Sequence, residues 1–287
     1  MSLPLFIVDA FAEAPFGGNS AAVCLLDEDA ASDWLQAVAA ELRQPATAFL
    51  WPDTSAGLFR LRWFAPASEL ALCGHGTLAA AHVLWETGML SRDAPARFQT
   101  GRGPLAARLA GDRVALDFPA EPVHETSPAP GLVEALGVVP TSVLRSTLDY
   151  LVEVDSEAVV RHVRPDFNRL RLVDTRGVIV TARAAGRGEV VQDRPDRGDS
   201  SVERAPDFVS RFFAPRVGLD EDAVTGSAHA ALGPYWGRRL GRSTLHAYQA
   251  SARGGAIGIR LSEDRVELSG RAVTVMTGGL LPQIPRR

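Results

Sequence analysis

Apolar and polar residues follow one another along the chain in patterns that predict a mixture of strands and helices. The apolar runs 5–11 and 21–26 are typical of buried strands, and residues 59–64 alternate apolar with charged side chains. Between residues 34 and 42, apolar side chains recur at helical spacing. The same criteria predict helices at 77–87, 132–136 and 225–237, and strands at 47–51, 106–109, 114–118, 147–154, 178–182, 257–261, 265–268 and 272–276.

Two irregular segments interrupt this pattern. Residues 119–130 contain four prolines and little periodicity, which predicts a linker between two domains. Residues 186–206 are polar and rich in Gly, Asp and Arg, which predicts a mobile loop or an insertion. Since 287 residues suffice for two domains, we expect domains at 1–118 and 131–271.

Composition narrows the possible partners and chemistry. Thirty basic residues, all of them arginine, stand against 34 acidic ones, and no block of like charge occurs, so nucleic acid and anionic membrane are not expected partners. The absence of lysine excludes Schiff-base and pyridoxal chemistry. Three features favour a cytoplasmic protein. The chain has only two cysteines, Cys24 and Cys73, and its first residues form no basic leader. Its most apolar stretch, 71–84, is interrupted by glycine and histidine and so is not expected to span a membrane. No spacing of histidines and carboxylates predicts a metal site.

An internal repeat is the most informative feature of the sequence. The motif at 62–66, RWFAP, recurs at 211–215 as RFFAP, and each copy precedes a glycine that opens an alanine-rich stretch. These openings are Cys73-Gly74-His75-Gly76 and Thr225-Gly226-Ser227-Ala228. A glycine-led helix start presents unpaired backbone N–H groups and the positive end of the helix dipole. Two such starts are suited to binding a carboxylate and stabilising an enolate-like charge, although glycine also serves close packing.

These motifs, with FGGNSAAV at 16–23, TAF at 47–49, EDAVTGSAH at 221–229 and SARGG at 251–255, resemble the PhzF-like proteins of phenazine biosynthesis. The resemblance covers nearly the whole chain. It implies a diaminopimelate-epimerase-like α/β fold with two pseudo-symmetric domains, each a curved, mostly antiparallel sheet around a central helix. It also implies an active site between the domains, a last strand at about 272–287 that completes the first domain, and a homodimer.

The same resemblance implies the chemistry. In founding members of the family a glutamate moves a proton on dihydro-hydroxyanthranilate, without metal or organic cofactor. Carried over by position, His75 is a polar partner or proton shuttle, Asp222 an acid/base and Ser227 a hydroxyl donor, whereas His82 and His229 are packing residues. The substrate, a small carboxylate, would be lined by a further set: Gly18, Asn19, Ala46, Thr47, Cys73, Gly74, Gly76, Thr225 and Gly226.

One position departs from the family pattern. Ala46 occupies the place of the family's glutamate, and an alanine cannot remove a proton. Three alternatives remain open. The chain is a cofactor-independent isomerase or related lyase with a reassigned base, Asp222, His75 or Cys73; an epimerase or dehydratase that uses the single thiol of Cys73; or a non-catalytic carboxylate-binding protein. A racemase with two thiols is excluded because the counterpart of Cys73 is Thr225.

Overall fold

The computed structural model describes residues 2–53, 58–185 and 205–281, and these residues form two compact units. One unit extends to Phe118 and resumes at Glu267, and the other extends from Pro119 to Val266. Most of the predicted loop at 186–206 lies outside the described residues, as do residues 282–287. The fold is a sheet-dominated α/β architecture with six α-helices in the described part of the chain, which confirms the predicted fold class.

The first unit contains a curved succession of strands with two helices. Its elements are β1 Leu3–Ala10, β2 Asn19–Leu25, α1 Ser32–Leu42, β3 Ala46–Asp53, β4 Leu58–Phe64, β5 Glu69–Leu70, α2 Gly74–Glu86, β6 Ala96–Thr100, β7 Gly103–Ala110, β8 Arg113–Pro119 and β18 Ala272–Leu280. Strand β1 pairs with β2, β3 with β4, β4 with β5, β6 with β7 and β7 with β8 in antiparallel fashion, whereas β2–β3 and β4–β6 are parallel. The returning strand β18 pairs antiparallel with β1.

The second unit repeats this order. Its elements are β9 His124–Glu125, α3 Leu132–Leu136, β10 Pro140–Arg145, β11 Asp149–Val154, α4 Glu157–His162, α5 Phe167–Leu170, β12 Gly177–Arg183, β13 Phe208–Ala214, a 3₁₀ turn Pro215–Val217, β14 Leu219–Asp222, α6 Gly226–Leu240, β15 Thr244–Gln249 and β16 Gly255–Ser262. Strand β17, Arg265–Gly270, begins in this unit and continues from Glu267 in the first. The pairs β10–β11, β12–β13, β13–β14 and β15–β16 are antiparallel, and β11–β12 and β13–β15 are parallel. Strand β9 pairs with β10 as β18 pairs with β1.

Each unit places its repeated helix on one face of its sheet. In the first unit the other face packs Cys24, Phe49 and Phe64 against α1. In the second unit the other face packs Val152, Val180 and their neighbours against α3, α4 and α5. Because successive strand residues point to opposite faces, the remaining positions of β2, β3, β11 and β12 face α2 or α6. These are the positions that surround the two glycine-led helix starts.

The structure departs from the sequence expectation at several boundaries. Helix α2 begins at Gly74 rather than at residue 77, because Cys73 caps its first turn. The segment 119–130, predicted as a linker, is assigned to the second unit and contains β9. Backbone N–H groups of Ala120 and Glu121 donate there to Asp264 O and Ala230 O, so this stretch is hydrogen-bonded to its unit.

Candidate functional site

The start of α2 is fixed by its capping residue. Cys73 has extended backbone geometry, and its Sγ accepts a hydrogen bond from the Gly76 N–H at 3.4 Å. The Thr77 hydroxyl donates to Cys73 O at 2.7 Å. A Cβ on Gly76 would lie 2.9 Å from Trp63 Cδ1 and 3.0 Å from the Cys73 sulfur, so the indole and the thiol fill the space beside this glycine. The first turn, with Gly74 and His75, is therefore held rigidly.

The imidazole of His75 has a defined neighbour on the sheet. The side-chain amide nitrogen of Asn19, the first residue of β2, lies 3.4 Å from His75 Nδ1, and a hydrogen bond donated by this amide favours the tautomer that carries the ring proton on Nε2. Cys73 Sγ lies 3.6 Å from Nδ1 and 3.7 Å from Nε2. Because these two distances are almost equal, the sulfur is aligned with neither nitrogen, unlike the directed thiol–imidazole pair of a cysteine nucleophile.

The loop before β2 requires glycine at residue 18. Gly18 has a φ of +59°, and a Cβ there would collide with the carbonyl oxygen of Ala10. The loop is anchored by Asp9, a buried carboxylate that accepts from the Phe16 N–H at 2.7 Å. Gly18 thus sets the position from which Asn19 reaches His75.

Ala46 and Thr47 lie on opposite faces of β3. Ala46 and Ala48 point to the same face of the sheet because they are two residues apart on one strand. Ala48 pairs with Trp63, whose indole lies beside Gly76 of α2, so this is the face that carries α2. Its methyl group is fully buried. Thr47 pairs with Phe64 on the α1 face, and its buried hydroxyl has no hydrogen-bond partner among the described residues. The structure therefore brings Ala46, and not the side chain of Thr47, to the face of the helix start.

The start of α6 holds Asp222 through two neighbours. Thr225, the N-cap residue, donates from its hydroxyl to Asp222 Oδ2 at 2.6 Å. Gln249 on β15 accepts from the Thr225 N–H at 2.9 Å and donates to Asp222 O at 2.7 Å. Asp222 is half-buried and ends β14, directly before the turn into Gly226. Its carboxylate is thus oriented at the beginning of the helix.

Register shows which residues of the two halves correspond. Trp63 pairs with Leu70 in the first half as Phe212 pairs with Asp222 in the second. Three residues after each of these pairs comes the N-cap, Cys73 or Thr225. The position of Asp222 in the second half is therefore occupied by Leu70 in the first half, which has no carboxylate there. By the same register, His75 in the first half corresponds to Ser227 in the second.

Two residues at the second helix start were missed by the sequence analysis. Arg176 donates from Nη2 to Ser227 Oγ at 3.0 Å, and its Nε donates to Asp149 at 2.8 Å. Asp149 is nearly fully buried at the start of β11. No local pattern marks either residue, because the partners lie far apart in the sequence and meet only when β11, β12 and α6 pack.

Two further helix histidines, His82 and His229, were predicted to be packing residues. His229 is fully buried, stacks on Phe208 and donates from Nδ1 to Thr225 O at 2.8 Å. Burial lowers the pKa of His229 to about 4. Burial also lowers the pKa of His82, whose Nε2 lies 3.2 Å from Thr274 Oγ1. Both rings are therefore neutral near pH 7.

The described residues contain neither a cluster of metal-ligand side chains nor a helix of membrane-spanning character. No group of three or more His, Cys, Asp or Glu side chains lies close enough together there to hold a metal ion. None of the described helices has the length and apolarity needed to cross a bilayer.

Comparison with known proteins identifies the family. The protein-family model described as phenazine biosynthesis-like protein matches residues 8–278 of this chain. An uncharacterized isomerase of Halalkalibacterium halodurans is 44% identical in sequence to this chain, and the match covers 98% of this chain and 99% of the relative. A PhzF-family crystal structure from Enterococcus faecalis is 37% identical, with a TM-score of 0.86 over 98% of this chain and 100% of its own. A Pseudomonas aeruginosa epimerase-type structure, 22% identical over 98% of this chain and 100% of its own, shares the fold with a TM-score of 0.69.

These findings confirm the resemblance read from the repeat, and the isomerase name of the Halalkalibacterium relative agrees with the predicted enzyme class. The fold likewise agrees with that of the Enterococcus PhzF-family structure. The chain belongs to the PhzF family of phenazine biosynthesis-like proteins.

Proposed function

We propose that this protein is a cofactor-independent isomerase that moves a proton on a small cyclic carboxylate. The observation that carries the proposal is the pair of matched helix starts, with an imidazole fixed at one and a carboxylate fixed at the other. His75 with the amides of α2 forms one of these groups, and Asp222 and Ser227 with the amides of α6 form the other. Helix N-termini favour anions, which suits them to a carboxylate and to an enolate-like charge.

Asp222 is the proposed base. It takes a proton from a ring carbon, and the electron pair of that C–H bond moves into the conjugated system as an enolate-like anion. The Nε2–H of His75 then gives a proton to a second carbon, and proton exchange with solvent resets both groups. Thr225 supports this role because its hydroxyl fixes one oxygen of Asp222 at 2.6 Å. Asn19 supports the role of His75 because its amide favours the tautomer with the proton on Nε2.

Ala46 explains why the base is reassigned. Its methyl group lies buried on the sheet face that carries α2, where the family pattern has a glutamate. A methyl group can neither accept nor donate a proton. A carboxylate at the α6 start, Asp222, and an imidazole at the α2 start, His75, remain. General acid–base groups contribute about 10²- to 10⁴-fold in rate, so one such group suffices for measurable turnover.

Deuterium uptake from heavy water into dihydro-hydroxyanthranilate, followed by proton NMR, tests the proposal. We expect Asp222→Asn to lower the rate by about 10²- to 10⁴-fold, and His75→Gln to lower it as well. The matched control is Asp220→Asn, because Asp220 lies on the same short strand with its side chain 57% exposed. Unchanged rates in both test variants would contradict the proposal, and binding without any exchange would favour the non-catalytic alternative.

The thiol alternative has its own test. Cys73 is buried and its sulfur already accepts the Gly76 N–H, so we expect Cys73→Ala to retain deuterium exchange. Complete loss of exchange in Cys73→Ala, with retained exchange in Asp222→Asn, would transfer the role of base to the thiol. Circular dichroism of each variant checks that α2 still forms without its capping sulfur.

A further inference from the structure

Arg176 is fixed on both sides at the start of α6. Its Nε donates to Asp149 Oδ1 at 2.8 Å, and its Nη2 is bonded both to Asp149 Oδ2 and, at 3.0 Å, to Ser227 Oγ. The Asp149 side chain is 3% exposed and that of Arg176 is 34% exposed. A bidentate pair between a guanidinium and a carboxylate fixes both the position and the plane of the cation. The charge beside Ser227 is therefore immobile.

Among the described residues, this arrangement occurs in the second half and has no counterpart at the matching positions of the first. Asp149 pairs with Gly177 at the beginning of the parallel pair β11–β12, as Ala21 pairs with Ala46 in β2–β3. The charged pair thus stands where the first half has only apolar residues. A Cβ on Gly177 would collide with the Phe212 ring and lie 3.1 Å from Asp149 Oδ1, so glycine makes room for the carboxylate.

The consequence for Ser227 follows from hydrogen-bond chemistry. A serine hydroxyl has one proton and two acceptor lone pairs. Arg176 has no acceptor and donates to Ser227 Oγ, so the hydroxyl proton turns away from the cation and must be donated elsewhere. Ser227 lies in the first turn of a 15-residue helix whose first backbone N–H groups also favour an anion. The cation, the hydroxyl and the helix start all favour negative charge at one place.

We propose that Arg176, held by Asp149, is a positioning residue that makes Ser227 an obligate hydrogen-bond donor to the carboxylate of the substrate. The inference rests on the proposed function for the identity of the ligand. The link between Arg176 and Ser227 does not depend on it. Arg176 acts through Ser227 and selects an anionic group over a neutral one of the same shape.

The first experiment measures the link without any ligand. Ser227→Cys places a thiol beside the guanidinium, and a neighbouring cation lowers a thiol pKa. We expect iodoacetamide to alkylate this thiol at pH 7 about tenfold faster than the same thiol in Ser227→Cys/Arg176→Gln. Mass spectrometry separates the introduced thiol from Cys24 and Cys73. Equal rates in the two proteins would overturn the proposal.

The control for this experiment is Ser227→Cys/Arg216→Gln. Arg216 is a nearby surface arginine on the 3₁₀ turn that pairs with Asp174 at 3.2 Å. Its removal should leave the alkylation rate unchanged. A decrease as large as that caused by Arg176→Gln would show a general charge effect and contradict a specific link. Arg176→Lys keeps the charge and should restore part of the lost reactivity.

The second experiment measures selectivity by titration calorimetry with anthranilate and its neutral amide, 2-aminobenzamide. Arg176→Gln should weaken anthranilate binding by about tenfold, because the hydroxyl of Ser227 loses the cation that orients it, and should leave binding of the neutral amide nearly unaffected. Equal losses for both probes would overturn the proposal, because they indicate a merely structural role. If the wild type binds neither probe while the introduced thiol is acidified, the proposed substrate class is wrong and the link between Arg176 and Ser227 stands.

Discussion

Acidification should destabilise the fold through His229. The ring is fully buried, and burial lowers its pKa to about 4, against about 6.5 in an unfolded chain. Between these two pH values the unfolded state binds a proton that the folded state does not. The free energy of unfolding must therefore rise with pH in this window and fall as the pH is lowered from 6.5 towards 4.

The expected magnitude follows from the two pKa values. Between pH 7 and pH 4.5, this single histidine should reduce the free energy of unfolding by about 2 kcal/mol. His229→Asn keeps a donor near the position of Nδ1, which bonds to Thr225 O at 2.8 Å, and removes the titrating group. The variant should be less stable than the wild type at pH 7, because the ring stacks on Phe208, and should lose less stability on acidification.

Urea unfolding of both proteins at a series of pH values measures this difference. His162→Asn is the matched control, because His162 also bonds from Nδ1 to a carbonyl four residues earlier at 2.8 Å, although it is exposed. The control should follow the wild-type pH dependence. The reasoning is refuted if His229→Asn loses as much stability as the wild type between pH 7 and pH 4.5. A histidine NMR titration that shows His229 gaining its proton near pH 6.5 would refute it equally.

Packing and the internal repeat give two further predictions. Gly76→Ala should cost about 1–3 kcal/mol of stability, because the new methyl group overlaps Trp63. The control Gly101→Ala should be nearly neutral, because no atom lies within 4 Å of the added Cβ. Thermal unfolding of the two variants measures the difference. Arg211→Gln should lower the free energy of unfolding by about 3 kcal/mol, and the same change at its repeat counterpart, Arg62→Gln, by about 1 kcal/mol or less. The reason is burial, because the Arg211 side chain is 9% exposed and that of Arg62 is 22% exposed. A larger loss at Arg62 would contradict this ranking.

The repeat in the sequence predicted much of the architecture. The two RxFAP motifs lie at the ends of β4 and β13, and the two glycines open α2 and α6. These features are visible because each is a short local pattern with a mechanical reason. In both copies the arginine forms a two-point ion pair, Arg62 with Glu69 and Arg211 with Glu221.

The contacts that orient the site residues could not be predicted in the same way. Gln249 reaches Thr225 across 24 residues, and Arg176 reaches Ser227 across 51. Such pairs depend on the register of parallel strands, which neither apolar periodicity nor motif spacing specifies. The two-residue strands β5 and β9 were missed for a related reason, since a strand of that length has no periodicity.

The central claim is that proton transfer continues without a carboxylate at residue 46. The most direct test is deuterium uptake into dihydro-hydroxyanthranilate by the wild type and by Ala46→Glu, measured side by side by proton NMR in heavy water. We expect uptake with the wild type well above the enzyme-free rate, and a rate about 10²- to 10⁴-fold lower in Asp222→Asn. Uptake with Ala46→Glu alone would contradict the assignment of Asp222 as base, because the pocket would then accept the substrate and lack only the glutamate.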